Sequence, residues 1–465
     1  MTSPFTDPAA QAEAEFSATV ELFNRLLKLP DVSKALGLDV ASHKRVVYTQ
    51  VVTLWMLILQ CIGKTVSLKE VVSQVVNRER HILPDNKRVR EGTLSTDTGA
   101  YSKARKRLSL DVVFQFSEAV CNHLANTSPS IFENRRVFVL DGTTITLRPT
   151  PALQAHFTPA SNQHGTSVWP VAMLMVAHEP QTGCAMLPQI DPMYGDNRSC
   201  EVKQAREIVK RLPTNSIVMA DANFGVFSAA YYSQAAGHDF LFRATRTRFK
   251  ALVKDATLQD EGSNWKSYSL RWIASRWVLG NTLELPKDAA LDVFIHEVRL
   301  PDGTNLFLVS SLPITAQCAG ELYLKRYSVE FDIRDIKVTM DAEHIAAKSV
   351  DMVLKELMTS VVAYNMVAQF RRQAAGLIRV EPRALSFTGV WLSFRDGLLR
   401  KEPATYEEWR TNYTGALINA SRELLPKRKT ARSCPRKAHY RAPKTTKFQK
   451  SLRQQKKAAP PPPVT

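Results

Sequence analysis

"RVFVLDGTTITL", residues 136–147, is the stretch on which the reading of the fold turns. Val137, Phe138, Val139 and Leu140 form an unbroken apolar run, β-branched and aromatic, that reads as a buried strand ending in Asp141 and a glycine turn. The chain before it reads differently. Residues 14–125 carry helical patterning, from "EAEFSATVELFNRLLKL" through "SLKEVVSQVVNRERHI" to "LDVVFQFSEAVCNHLA". The basic, turn-rich "LPDNKRVREGTLSTDTG" at 83–99 interrupts that block.

Downstream the strands continue. "VWPVAMLMVAHEPQTGCAMLPQI" (168–190) reads as two strands joined by a turn at Glu179–Gly183. Residues 199–212 read as a helix, "NSIVMADANFG" as a short buried strand ending at Asp221, "FSAAYYSQAAG" as a helix closed by Gly237, and "DFLFRA" as a strand. Three antiparallel strands, helix, strand, helix, strand is the order of a ribonuclease-H-like α/β core. From about 245 to 312 the texture is again β-like, and helices are expected over 320–341 and 347–374. The expected organisation is a helical N-terminal DNA-binding domain (1–130), a core in two parts (131–245 and 316–375) around a β-rich insertion (246–315), a helical region (376–426) and a basic tail (427–465) without a core of its own.

The formal net charge is +18, and residues 427–457 hold thirteen Lys and Arg with no Asp or Glu, leaving +5 for the remainder. Such a balance favours nucleic acid over small acidic substrates. The tail either adds sequence-independent DNA affinity or only solubilises. Six scattered cysteines without a CxxC pair and ten histidines without HxxxH spacing argue against structural zinc and for reduced thiols. "VVYTQVVTLWMLILQCIG" (46–63) carries Gln50 and Gln60, so a buried helix is expected there rather than a membrane span. With no signal-peptide pattern at the start, a soluble cytoplasmic protein is expected.

A second stretch, "YLKRYSVEFDIRDIK" (323–337), mixes aromatics, bases and acids. At about 100° per residue, Tyr323, Arg326, Glu330 and Lys337 share one narrow stripe. Leu324, Tyr327, Phe331 and Val338 make an apolar band on one side, and Val329, Ile333, Ile336 and Met340 another, so packing on both flanks is expected. The stripe reads either as a polyanion contact or as an ordinary salt-bridged helix face. Asp141 and Asp221 end similar strands, "FVLDG" and "VMADA", and strand ends are where open α/β sheets bind ligands. Should Glu330 join them, the acidic pocket calls for hard divalent cations, with Mg²⁺ taking further ligands from substrate phosphate. Two such ions activate water and stabilise a leaving oxygen, which is phosphodiester chemistry. Arg326 and Lys337 would then hold phosphates.

Tyr323, Arg326, Glu330 and Lys337 resemble, with every spacing kept, the Y-R-E-K signature of the insertion-sequence-4 family of bacterial DDE transposases. "LDGTTI" and "ADANFG" resemble that family's two Asp motifs, and "GAYSKARKRL" a segment common before the first; Tyr327 departs from a frequent Trp. The resemblance implies a ribonuclease-H-like core with an insertion in the 109 positions between Asp221 and Glu330. It implies cut-and-paste transposition at terminal inverted repeats. Asp141, Asp221 and Glu330 would be catalytic, holding two Mg²⁺, for which Mn²⁺ substitutes. It implies double-stranded DNA as partner, at both transposon ends and target, and a homodimer for synapsis. Tyr323, Arg326 and Lys337 would bind terminal phosphates. Trp272 and Trp277, with Trp265, are candidates to stack on an unpaired base if a hairpin forms, or are local core. Arg105, Lys106 and Arg107 either grip duplex or form a solvated face. A nuclease of the same fold without strand transfer, and a DNA-binding descendant without catalysis, are the alternatives.

Overall fold

The structure is a computed structural model, and it describes residues 24–426 apart from 29, 38–45, 64–65, 79–81, 129, 164, 282–284 and 400–405. The helical expectation for residues 14–23 and the basic tail lie outside the described residues.

Ten strands form one sheet: β1 (Val137–Thr146), β2 (Pro159–Asn162), β3 (Gly165–His178), β4 (Gln189–Pro192), β5 (Ile217–Ala220), β6 (Asp239–Arg243), β7 (Thr257–Gly262), β8 (Trp265–Ile273), β9 (Ala290–Arg299) and β10 (Asn305–Ser310). Their order is β2-β3-β1-β5-β6-β10-β9-β8-β7, with β4 against β3. β1, β3 and β4 pair antiparallel, whereas β1, β5 and β6 run parallel through helical crossovers. This is the expected core order within a mixed α/β fold. β10 then pairs with β6, so the β-rich segment extends the same sheet.

Two local expectations are corrected. β1 does not stop at a turn after Asp141: its β-branched continuation stays paired with β3, from Asp141↔Val176 to Thr146↔Val171. Nor is 245–312 uniformly β. Helices occupy Arg246–Val253 and Arg276–Asn281, where Thr245 and Ser275 hydroxyls accept from Arg248 N (3.3 Å) and Val278 N (3.3 Å) and so open a helical turn.

Strand alternation sends side chains to two faces. Phe138, Leu140, Val218, Ala220, Phe240 and Phe242 pack with the helices Glu201–Val209 and Phe227–Ala235. Val137, Val139, Ile217 and Met219 face the other way, onto Leu322, Tyr323 and Val329. The helix Val350–Leu377 lies in a third apolar cluster with the N-terminal helices Gln50–Ile62 and Leu110–Thr127 and with Trp391 and Trp409. Gln50–Ile62 is accordingly buried in protein, and among the described residues no helix is long and apolar enough to cross a membrane.

The helix expected over 320–341 is broken: α over Ala316–Leu324, 3₁₀ over Lys325–Tyr327, α over Ser328–Arg334 and π over Asp335–Thr339. One flank packs as expected, with Val329 at 0%, Ile336 at 7% and Met340 at 3% exposure. The other does not: Leu324, Tyr327, Phe331 and Val338 are 43%, 42%, 54% and 50% exposed. They turn away from the sheet. Arg326 and Arg334 cover Tyr327 and Phe331 instead, 4.8 and 5.2 Å from the ring centroids.

Buried charge fixes this helix to the β3 turn. Arg383 grips Asp332 with two bonds, 2.9 and 2.6 Å, and also donates to Pro180 O. Tyr364 donates to Gly183 O and Arg371 to Thr182 O, each at 2.7 Å. Gly183 has φ +82°, and a Cβ there would lie 2.6 Å from an Arg371 nitrogen, so the turn needs glycine. Arg383→Ala would strip the buried Asp332 carboxylate of both its close bonds and leave it only His178, 3.8 Å away, and is expected to lower unfolding free energy by about 3–5 kcal/mol in urea titration. A loss under about 1 kcal/mol would show that the pair does not anchor the helix.

Candidate active site

The site grows from one register. β1 and β5 pair in parallel as Val137↔Ile217, Phe138↔Val218 and Val139↔Met219. Asp141 and Asp221 each stand two residues past the last pair. Side chains two apart on a strand point the same way, so both carboxyls follow Val139 and Met219 to the face covered by Tyr323 and Val329. Each aspartate is fixed by a backbone donor: Gly142 N lies 2.9 Å from Asp141 Oδ1, and Asn223 N 2.9 Å from Asp221 Oδ1.

A further acid, Glu201, was missed from sequence. It opens the helix Glu201–Val209, and its Oε2 accepts from Asn223 Nδ2 at 3.2 Å. Its Oε1 lies 2.6 Å from where a Cβ on Gly142 would be, so glycine leaves room for this carboxylate beside β1. The only signal in the sequence was an acid in the first turn of a helix, which is common for dipole reasons alone.

Asp221 acts on both of the other acids at this strand end, Asp141 and Glu201. Burial pushes Asp141 up to about 6; Gly142 N and Arg326 pull it down, while Asp221 and Glu201 push further up. Glu201 is raised as well, by burial first and then by Asp221, against the Asn223 bond.

The broken helix brings its polar stripe over this end. Tyr323 is fully buried with an unpaired hydroxyl, and burial raises its pKa. Arg326 is 6% exposed, and one of its terminal nitrogens reaches Glu330 Oε1 at 3.4 Å. Burial works against the Arg326 charge, but Tyr323, Asp141 and Glu330 offset it and leave its pKa raised. Lys337 Nζ sits at 3.1 Å from Thr143 Oγ1 and 2.9 Å from Thr144 O, two to three residues past Asp141 on β1. Its π turn sets that reach.

The donor set is hard carboxylate oxygen, which suits Mg²⁺ in kind. Asp141 and Asp221 are the adjacent pair. Glu330 is turned toward Arg326 with its side chain 57% exposed, and among the described residues no three His, Cys, Asp or Glu side chains are gathered as one ligand sphere.

The other sequence candidates lie elsewhere. Arg105 is sunk in an ion pair with Glu356 at 2.5 Å, which takes it out of the exposed basic face expected of it. Lys106 and Arg107 are exposed, with Arg107 donating to Tyr48 O at 3.3 Å. Trp272 packs edge-on against Phe227, ring centroids 5.3 Å apart, whereas Trp277 is 74% exposed. Trp265 lines a cavity of about 550 Å³ with Arg246, Lys266 and Arg299.

Residues 133–366, just over half of the chain, match a family described as the transposase DDE domain. No curated protein matches. Among solved structures, a piggyBac transposase synaptic complex with hairpin DNA, seen by cryo-electron microscopy, is similar over 92% of this chain and 89% of that chain, at 9% identity and a TM-score of 0.40.

Because Asp141 is raised above its unfolded value of 3.8, its contribution to stability is full below that value and is lost as pH rises through about 6. Asp141→Asn removes this dependence. The variant is therefore expected to gain about 1–3 kcal/mol relative to wild type between pH 4 and pH 7.5, read from paired urea titrations. A pH-independent difference would contradict the burial of that charge among like charges.

Proposed function

The chain belongs to the transposase DDE-domain family, and from that premise we propose that it is a cut-and-paste transposase of a bacterial insertion sequence of the insertion-sequence-4 kind. The observation that carries the proposal is the convergence of Asp141 and Asp221 on one strand edge beneath a helix bearing Tyr323, Arg326, Glu330 and Lys337.

Asp141, Asp221 and Glu330 are the residues that would hold divalent metal, two Mg²⁺ or Mn²⁺. Bound there, the metal supplies activation of the attacking oxygen and charge stabilisation at the leaving one. The remaining work falls to the polypeptide. The Arg326 guanidinium, buried and pre-set, offers a planar fork to a phosphate, and Lys337 offers a point charge about two helical turns beyond Glu330 on the β1 side. The buried Tyr323 hydroxyl has a free donor for the same phosphate. Water attacks at the transposon end to release a 3′-hydroxyl, which then attacks target DNA. Base-stacking during any hairpin step falls to Trp277, which is 74% exposed. Lys106 and Arg107 supply duplex contacts from the helical N-terminal region, and two copies of the chain bring the two ends together.

Purified protein with Mg²⁺ and DNA carrying the element's ends is expected to give joined products. Cut but unjoined ends would indicate a nuclease, and a shifted band alone a silent binder. Asp141→Ala, Asp221→Ala and Glu330→Ala are each expected to abolish cleavage while end binding survives in a gel-shift assay. Normal cleavage by any one of the three would remove that residue from the metal site.

A further inference from the structure

Arg326 carries two obligations that compete. Its side chain is 7% exposed, and a terminal nitrogen is spent on Glu330 at 3.4 Å. Its charge also acts on Asp141. Yet its Nε is buried without an acceptor, as is the Tyr323 hydroxyl beside it. Leaving two buried donors empty is costly, so the stripe is incomplete without an anion. The anion that reaches these donors competes with Glu330 for the same guanidinium. Glu330 gives way readily, because its carboxylate is 57% exposed and an i,i+4 pair in that setting is weak.

We propose that Arg326 is a latch that couples DNA binding to metal binding. In the protein alone it holds Glu330 off the Asp141–Asp221 pair and screens Asp141. When a DNA phosphate takes the guanidinium through Nε and the terminal nitrogens, Glu330 is released to complete the metal site. The third carboxylate is thus delivered only when substrate is in place, which limits metal-dependent cleavage to DNA that is correctly seated. By linkage, DNA and metal each raise the other's affinity. Arg326 is here a positioning residue that acts through Glu330, and the inference rests on the function proposed above.

The test is an electron paramagnetic resonance titration of Mn²⁺ into the full chain, with and without duplex taken from the DNA flanking the coding region. Uptake by Asp141→Asn protein with the same duplex is subtracted. Wild type is expected to bind Mn²⁺ at least about fivefold more tightly with DNA than without. Glu330→Gln, an exposed substitution that leaves packing intact, is expected to match wild type without DNA within about twofold and to lose the DNA-dependent gain. Arg326→Gln, checked for folding by circular dichroism, is expected to bind Mn²⁺ at least about threefold more tightly than wild type without DNA. The latch is overturned if Glu330→Gln weakens DNA-free binding as much as Asp141→Asn does, or if it keeps the full DNA-dependent gain. It is also overturned if folded Arg326→Gln binds no more tightly. If wild type and Asp141→Asn take up Mn²⁺ alike, the metal site itself fails and the latch with it.

Discussion

Three parallel backbone pairs, Val137 with Ile217, Phe138 with Val218 and Val139 with Met219, decide where everything chemical in this protein sits. A parallel register carries two strands forward side by side, so their C-terminal ends emerge together at one edge. Here two aspartates emerge. A slip of one residue would turn one of them to the opposite face, among Phe138, Leu140 and Val218. The apolar residues before each aspartate therefore do more than fill the core. They set the spacing of two charges that repel one another.

Holding those charges requires support from outside the sheet. The helix that crosses them is wound three ways in succession, which lets Tyr323, Arg326 and Lys337 face the strand end while Asp332 is bolted to Arg383. Burial of Asp332, Asp335 and Arg371 around the β3 turn is a further cost, offset by Arg383 on Asp332, the Thr339 hydroxyl on Asp335 and the Thr182 carbonyl under Arg371. The result ties the turn at Glu179–Gly183, more than 140 positions before the Glu330 helix, to the placement of that helix.

Much of this was legible in sequence, and for definite reasons. The run ending at Asp141 and the shorter one ending at Asp221 are apolar at every position, which marks strands buried on both faces and so places their ends. The 3.6-residue repeat of Tyr323, Arg326, Glu330 and Lys337 survives the local rewinding because tight and loose turns partly cancel. The features that could not be read are those that depend on distant partners. Nothing local distinguishes the band Leu324, Tyr327 and Phe331, left exposed, from the band Val329, Ile336 and Met340, buried on the sheet. Glu201 looked like an ordinary first-turn acid until the strand end beside it was known, and Arg105 looked exposed until Glu356 was found against it. Side-chain capping by Thr245 and Ser275 turned two segments of apparent β texture into helix.

The central claim is that Asp141 and Asp221 share a divalent cation. Fe²⁺ substituted for Mg²⁺, with ascorbate and peroxide, cuts a polypeptide within a few ångströms of the bound ion, and the fragments can be sequenced. Cuts confined to the backbone around residues 141 and 221, and suppressed by excess Mg²⁺, are the expected result. Cuts scattered along the chain, or clustered at histidines remote from both strand ends, would contradict it.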